Sequence, residues 1–228
     1  MSKESSRHAD TTASTYIDPG AETKEAYEIS IRSRTLARSV IGDANAEDRL
    51  RQRCSIAIGD FAMAELMRFC HDPVPAALAA LKIGAPIITD IRMVQVGIQK
   101  KGHNCEVICA LDSGAEIAFG RGITRSSAGF LALKDRLAGS IVVIGNAPSA
   151  LLSLCEMVKA GTRPAVIIGT PVGFVNAAES KAVLRTIDIP SISTEGTRGG
   201  TPIAVAAINE CITIHIEGSG HARPGHGV

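Results

Sequence analysis

Apolar positions recur every three to four residues in the first third of the chain and then gather into short unbroken runs. In 22–40, Ile29, Leu36 and Val40 stand among charges, and in 46–69 so do Leu50, Ile58, Phe61, Leu66 and Met67, the spacing of amphipathic helices. A third helix is predicted over 73–83, with Pro73 favourable near its start and Gly84 just past its end. The period then changes: 85–90, 106–111, 140–145, 164–169 and 189–194 are β-branched runs bounded in several cases by Gly or Pro, each a candidate strand. Helical stretches at 124–137, 148–159 and 176–184 separate several of them, and a last helix at 202–211 follows the final strand. Alternating strands and helices imply a parallel sheet covered on both faces, and runs apolar throughout, such as IVVIG and AVIIG, are what burial on two sides requires. The expected class is α/β, a three-layer α/β/α arrangement with a mainly parallel sheet, preceded by N-terminal helices and without internal repeats.

Composition adjusts this picture in several places. At 228 residues, 45% hydrophobic and 21% charged, the chain has enough apolar material for one sizeable domain, expected at 16–216 between a polar arm at 1–15 and a Gly- and His-bearing tail at 217–228. Aromatic residues make up only 3%, with two Tyr, five Phe and no Trp, so the core must be built from branched aliphatics. That poverty also removes the stacking platforms of a single-strand reader, and a net charge of +1 without a dense Lys/Arg cluster leaves no phosphate-backbone footprint, so no nucleic acid partner is expected. No apolar run approaches the ~20 residues of a membrane helix and the first fifteen residues are polar, which points to a cytoplasmic protein with no membrane partner. The six cysteines stand singly with no C-x-x-C pair, the pattern of buried thiols, and no metal site is expected. His215, His221 and His226 are irregularly spaced in the tail region and read as solvated, as do His71 and His103 in turns.

Chemistry in an open α/β sheet belongs outside the carboxyl ends of the strands. The predicted strand exits read Thr89-Asp90, Gly145-Asn-Ala-Pro148, Gly169-Thr-Pro-Val-Gly-Phe174 and Thr194-Glu-Gly-Thr-Arg-Gly-Gly-Thr-Pro202. Glycines admit close backbone approach, and unpaired N–H groups at helix starts favour anions, so a small ligand with several negative groups suits this edge. Arg125 and Arg198 are the candidate cations for it. Asp90 reads as an N-cap of the helix after its strand, and Glu179 as a carboxylate without a visible partner. Neither a G-x-G-x-x-G after a strand nor a P-loop is present, and no G-x-S-x-G elbow supports hydrolysis.

The segments GAPIITDIRMVQVGI, GITRSSA, IGNAPSALLSLCEM, IIGTPVGFVNAAESK and RGGTPIAVAAIN resemble the precorrin-8X methylmutases of cobalamin biosynthesis, over about residues 16–212. The resemblance implies an α/β/α homodimer with its active site near the subunit interface, and an isomerase that moves a methyl group between adjacent carbons of a corrin precursor without cofactor or metal. The implied ligand is a carboxylate-rich tetrapyrrole. Ser30 matches the family's substrate-contacting serine in the first helix, and Thr124, Arg125 and Ser126 match its TRS segment, whose Arg holds the ring system. Asn146, Gly173, Phe174, Arg198, Gly199 and Gly200 on the glycine loops complete the expected substrate contacts. The family's acid is a His in a segment R-x-x-H-x-x-[AG]-D-F; here the segment is RCSIAIGDF and the His position holds Ile56, which donates no proton. Three accounts stand open at this point: another donor such as Cys54 or His103 takes over, the protein binds or delivers a tetrapyrrole without mutase chemistry, or it is a structural dimer without a ligand.

Overall fold

The structure, a computed structural model, describes residues 23–219; the expected arm at 1–15 and the tail beyond 219, with His221 and His226, lie outside the described residues. Helix α1 (Lys24–Ile41) begins at Thr23, whose hydroxyl accepts the Ala26 N–H at 3.2 Å. Asn45 caps α2 (Ala46–Ile58) by accepting the Asp48 N–H at 2.9 Å, and Gly59, in the left-handed conformation, stops it. The helix predicted over 46–69 therefore ends eleven residues early (69 − 58). A single turn, α3 (Met63–Leu66), leads into a strand, β1 (Met67–Cys70). The periodicity misled because β1 owes its conformation to a partner 121 residues away: Cys70 pairs with Ser191.

The remaining elements are α4 (Pro73–Lys82), β2 (Ile87–Thr89), α5 (Arg92–Gly97), β3 (Val107–Cys109), α6 (Ala115–Arg121), α7 (Arg125–Ala132), α8 (Lys134–Leu137), β4 (Ile141–Ile144), α9 (Pro148–Lys159), β5 (Val166–Gly169), α10 (Ala177–Arg185), β6 (Ser191–Thr194) and α11 (Thr201–Gly218). The strands form one sheet in the order β1-β6-β5-β4-β2-β3, parallel except for β1 against β6. The α/β class and the three layers follow as expected. The last helix is longer than predicted, so His215 belongs to α11 and the helix passes the domain boundary expected at 216.

Neighbouring residues on one strand face opposite layers, as the two-residue period of a strand demands. Ile87, Ile141, Val143 and Ile168 join the layer of α2, α4 and α11, with Leu50, Leu81, Ile203 and Ile208. Ile88, Val142, Ile144 and Ile167 join the layer of α7, α9 and α10, with Phe130, Leu151, Leu154 and Leu184. Phe130 is the only aromatic among the described residues that is fully buried, so the core is aliphatic as composition required. All six cysteines are free; Cys70 is half-buried and the other five are buried.

A charged post lies within this apolar frame. Glu210 of α11, 0% exposed, takes both terminal nitrogens of the buried Arg34 from α1, and its Oε1 also accepts Arg49 Nε of α2 at 3.0 Å. Arg49 Nη1 continues to Glu217 Oε2 at 2.5 Å. The N-terminal helices are thereby locked to the sheet-covering helix α11. Among the described residues no helix is long and apolar enough to cross a membrane.

Candidate active site

Because β2, β4, β5 and β6 run parallel, their carboxyl ends and the loops that follow share one edge. Asp90 stands there, fully buried, and its role differs from the expected one. The residue preceding α5 is Ile91, which makes no side-chain cap. Asp90 instead reaches the loop after β4, where Oδ2 accepts the N–H groups of Asn146 and Ala147 at 2.8 Å each and Oδ1 that of Gly145 at 3.2 Å. Burial pushes this carboxyl above its ordinary value, against the pull of the three N–H bonds. The donors at the start of α9 thus already hold an anion, supplied by the chain itself. What the loop presents outward is the exposed Asn146 side chain. Gly145 is needed for packing: a Cβ there would lie 2.9 Å from Thr201 Cα and from Val94 Cγ2.

An Asp90→Asn chain turns an NH₂ group toward donors and breaks at least one charge-assisted bond. Urea unfolding is expected to show a loss of about 1.5–3 kcal/mol; stability equal to the parent would mean the loop holds itself.

The loops after β5 and β6 are laced together. Gly200 N–H donates to Thr170 O at 2.7 Å and Gly173 N–H to Thr197 O at 3.2 Å. A Cβ on Gly199 would collide with the Thr170 carbonyl oxygen. Beneath them, Lys181 of α10 is buried and donates from Nζ to Arg198 O at 2.6 Å and to Thr194 Oγ1 at 3.0 Å. Burial first, and then Arg185, push this lysine down to about 8. The Arg198 side chain forms an ion pair with Asp60, just past the end of α2. The Ala62 N–H and the Arg198 guanidinium hold Asp60 below its ordinary value.

Thr124 caps α7: its Oγ1 accepts the Ser127 N–H at 3.3 Å and bonds Ser149 Oγ at 2.9 Å, which joins the start of α7 to that of α9. Arg125 is exposed, with Nη2 donating to Leu111 O at 3.1 Å, while Ser126 is buried. Phe174 is 95% exposed beside Gly173. Ile56 stands half-buried on the last turn of α2, and Ser30 half-buried on α1, one turn before Arg34.

Neither alternative donor is presented at this edge: Cys54 lies sealed beneath it and His103 lies away from it. Cys54 is fully buried, its Sγ 3.7 Å from Ile203 O under α11, and burial pushes its thiol far above the usual range. His103 precedes β3, toward the opposite ends of the strands, on a cavity of about 410 Å³ that Gly84, His215 and Ser219 also line. Its Nε2 bonds Gln99 O at 2.8 Å and its Nδ1 accepts the Cys105 N–H at 3.1 Å, so both nitrogens are engaged and the ring, read from sequence as solvated, is structural.

Asp60 and Lys181 escaped the sequence reading. Asp60 stood in the RCSIAIGDF segment, as the Asp of the family motif, but was given no role. Lys181 carried a local signal: with Ala177, Ser180 and Leu184 it occupies the buried stripe of α10, and a lysine on an apolar stripe asks for a partner.

The family model for precorrin-8X methylmutase matches residues 28–214. The chain belongs to the precorrin-8X methylmutase family. A cobalt-precorrin-8 methylmutase of Methanocaldococcus jannaschii is 38% identical over 203 residues, 85% of this chain and 96% of that protein. The cobalamin biosynthesis protein CbiHC of Archaeoglobus fulgidus is 38% identical over 199 residues, 87% of this chain; the chain spans 42% of that relative's length. The solved structure of a precorrin-8x methyl mutase from Thermus thermophilus superposes with a TM-score of 0.78 at 34% identity, covering 84% of this chain and 97% of that one. The methylmutase match takes in Ser30, Ile56 and all the loops described above.

Proposed function

We propose that this chain is a methylmutase of cobalamin biosynthesis, an isomerase that moves a methyl group between adjacent carbons of a carboxylate-rich corrin precursor at the carboxyl edge of the sheet. The observation that carries this reading is the set of prebuilt loops at that edge in a chain of this family. The 145–147 loop is fixed by Asp90, the 198–200 loop by Lys181 and Thr170, and guanidinium groups stand at Arg125 and Arg198. In this reading Arg125 and Arg198 take carboxylates of the macrocycle, with Ser30, Thr124, Ser126, Asn146 and the Gly173–Phe174 turn beside them. Small and aliphatic walls then hold the ring, since few aromatics are present to stack on it. We place the protein in the cytoplasm as a homodimer; the apolar stripe Ile29, Leu36 and Val40, exposed along α1, supports a second copy as its cover.

A second reading is favoured by Ile56. With an aliphatic side chain where the resemblance puts the family's acid, with Cys54 sealed in the core and both nitrogens of His103 engaged, the chain would bind or deliver a tetrapyrrole without isomerising it. Titration with the metal-free corrin product, followed in the visible spectrum, and turnover of precorrin-8X separate the readings. Binding with turnover is expected from the methylmutase. Binding alone leaves the carrier, and no binding leaves a structural dimer without a ligand. In the same titration Arg125→Ala is expected to weaken binding about tenfold, one lost charged contact, with an unchanged melting temperature. Equal affinity would remove Arg125 from the site.

A further inference from the structure

Lys181 is, after Phe130, the largest fully buried side chain of the described residues, and substrate contact does not explain it. An ammonium taken from water is costly unless its protons are bonded, and a methionine would fill the same space without that cost. Two of its bonds converge on one residue of the 195–200 loop. Nζ donates directly to Arg198 O at 2.6 Å, and Thr194 Oγ1, which accepts from Nζ at 3.0 Å, donates to the same carbonyl at 2.6 Å. One residue further on, Gly199 lies so close to the Thr170 carbonyl that a Cβ has no room, and Gly200 N–H is tied to that carbonyl. The main chain of Arg198 is therefore pinned from the buried side, while its guanidinium, about half exposed, projects to Asp60 at the end of α2.

We infer that Lys181 is a positioning residue: by fixing the Arg198 carbonyl it aims the Arg198 guanidinium at the place where a carboxylate of the macrocycle is received. The inference rests on the reading of Arg198 as a substrate contact given above. It deepens that reading by assigning the buried lysine of the AAESK segment a task at the site. The charged groups around Lys181 are Arg185 on its own helix, which reaches Thr194 O at 3.3 Å, Arg198 with Asp60, and Glu195 paired with Arg68 of β1. The adjoining α9 brings Glu156 and Lys159, paired with each other at its far end. Among the described residues no carboxylate bonds the ammonium, so its charge serves the carbonyl.

A double-mutant cycle on the full chain tests this with the metal-free corrin product as probe. Lys181→Met is expected to weaken corrin binding about tenfold, as loss of a charge-assisted bond predicts. The milder Thr194→Val, which touches the same carbonyl, is expected to cost about threefold. Melting temperatures should stay level or rise, because the buried charge is gone. In an Arg198→Ala background Lys181→Met should cost nothing further, since a residue that acts through Arg198 has nothing left to act on. Hydrogen exchange of 195–200 should quicken in Lys181→Met while the strands keep their protection. Wild-type binding should also weaken above pH of about 8, where the ammonium loses its proton. Stability should not fall there: the unfolded chain holds that proton to higher pH, so this group's contribution to stability rises. If the parent binds corrin and Lys181→Met binds equally, or if the two losses multiply, the positioning role is overturned. If the parent binds no corrin, the functional reading fails, and with it the claim that the loop is ordered for a macrocycle; unchanged exchange would overturn the ordering itself.

Discussion

An Ile56→His chain is expected to turn over precorrin-8X about 10²–10⁴ times faster than its parent, the usual worth of a positioned general acid. The position suits an acid for a local reason. Ile56 lies on the last turn of α2, whose closing residue Gly59 donates its N–H to Ile56 O and Ser55 O. The negative end of the helix dipole favours an imidazolium there, so the ring keeps a proton to give near neutral pH. Asp60, the next residue past the cap, adds negative charge and is itself paired with Arg198 of the proposed substrate loop. The end of α2 therefore lies against the carboxyl edge, where the family resemblance puts the acid. Ile56 is only half-buried, so a ring of similar size enters without opening the core. Single-turnover assays of the two chains, with circular dichroism to verify the fold, decide the matter. A well-folded variant without gain would show that the pocket differs from the methylmutase site in more than this group.

The largest stability effect is expected at Glu210. Glu210→Ala leaves Arg34, 2% exposed, without the carboxylate that binds both its terminal nitrogens, and takes one of two partners from Arg49. Breaking a buried pair from one side typically costs about 3–5 kcal/mol, because a charge kept from water loses the carboxylate that balanced it. The loss should appear as a lower urea midpoint, with α1 the first segment to exchange its amides, since its tie to α11 is the one removed. Replacing the group as a whole, Arg34→Met, Arg49→Met and Glu210→Leu together, should cost far less, because no charge is left buried. A Glu210→Ala midpoint equal to the parent would mean that Arg34 finds water or another acceptor and that the post is dispensable.

Some features were legible along the chain because their causes are local. Pro148 opens α9 and Pro202 stands in the first turn of α11, as a fixed φ near −65° and a missing N–H favour. The IVVI and VIIG runs became central strands because residues apolar on both sides can only be satisfied between two layers. The glycine loops were readable for the same reason, and so was the family. Asp90 was misassigned: a carboxylate after a strand looks the same whether it caps the next helix or crosses to a neighbouring loop, and only the β2–β4 pairing brings residues 145–147 to it.

Sequence alone determined the class, the aliphatic core, the glycine loops at the strand edge where the site is proposed and the family, all of which follow from residue types, their period and short motifs. Tertiary structure alone decided how the edge is held. Asp90 meets Asn146 across 56 residues, Arg198 meets Asp60 across 138 and Arg34 meets Glu210 across 176. Such pairs have no period, and only the sheet order and the packing of α11 on α2 bring them into contact. The physical reason is burial: a charge or a donor removed from water must find its partner in space, and the chain's own pattern does not record which distant residue that is.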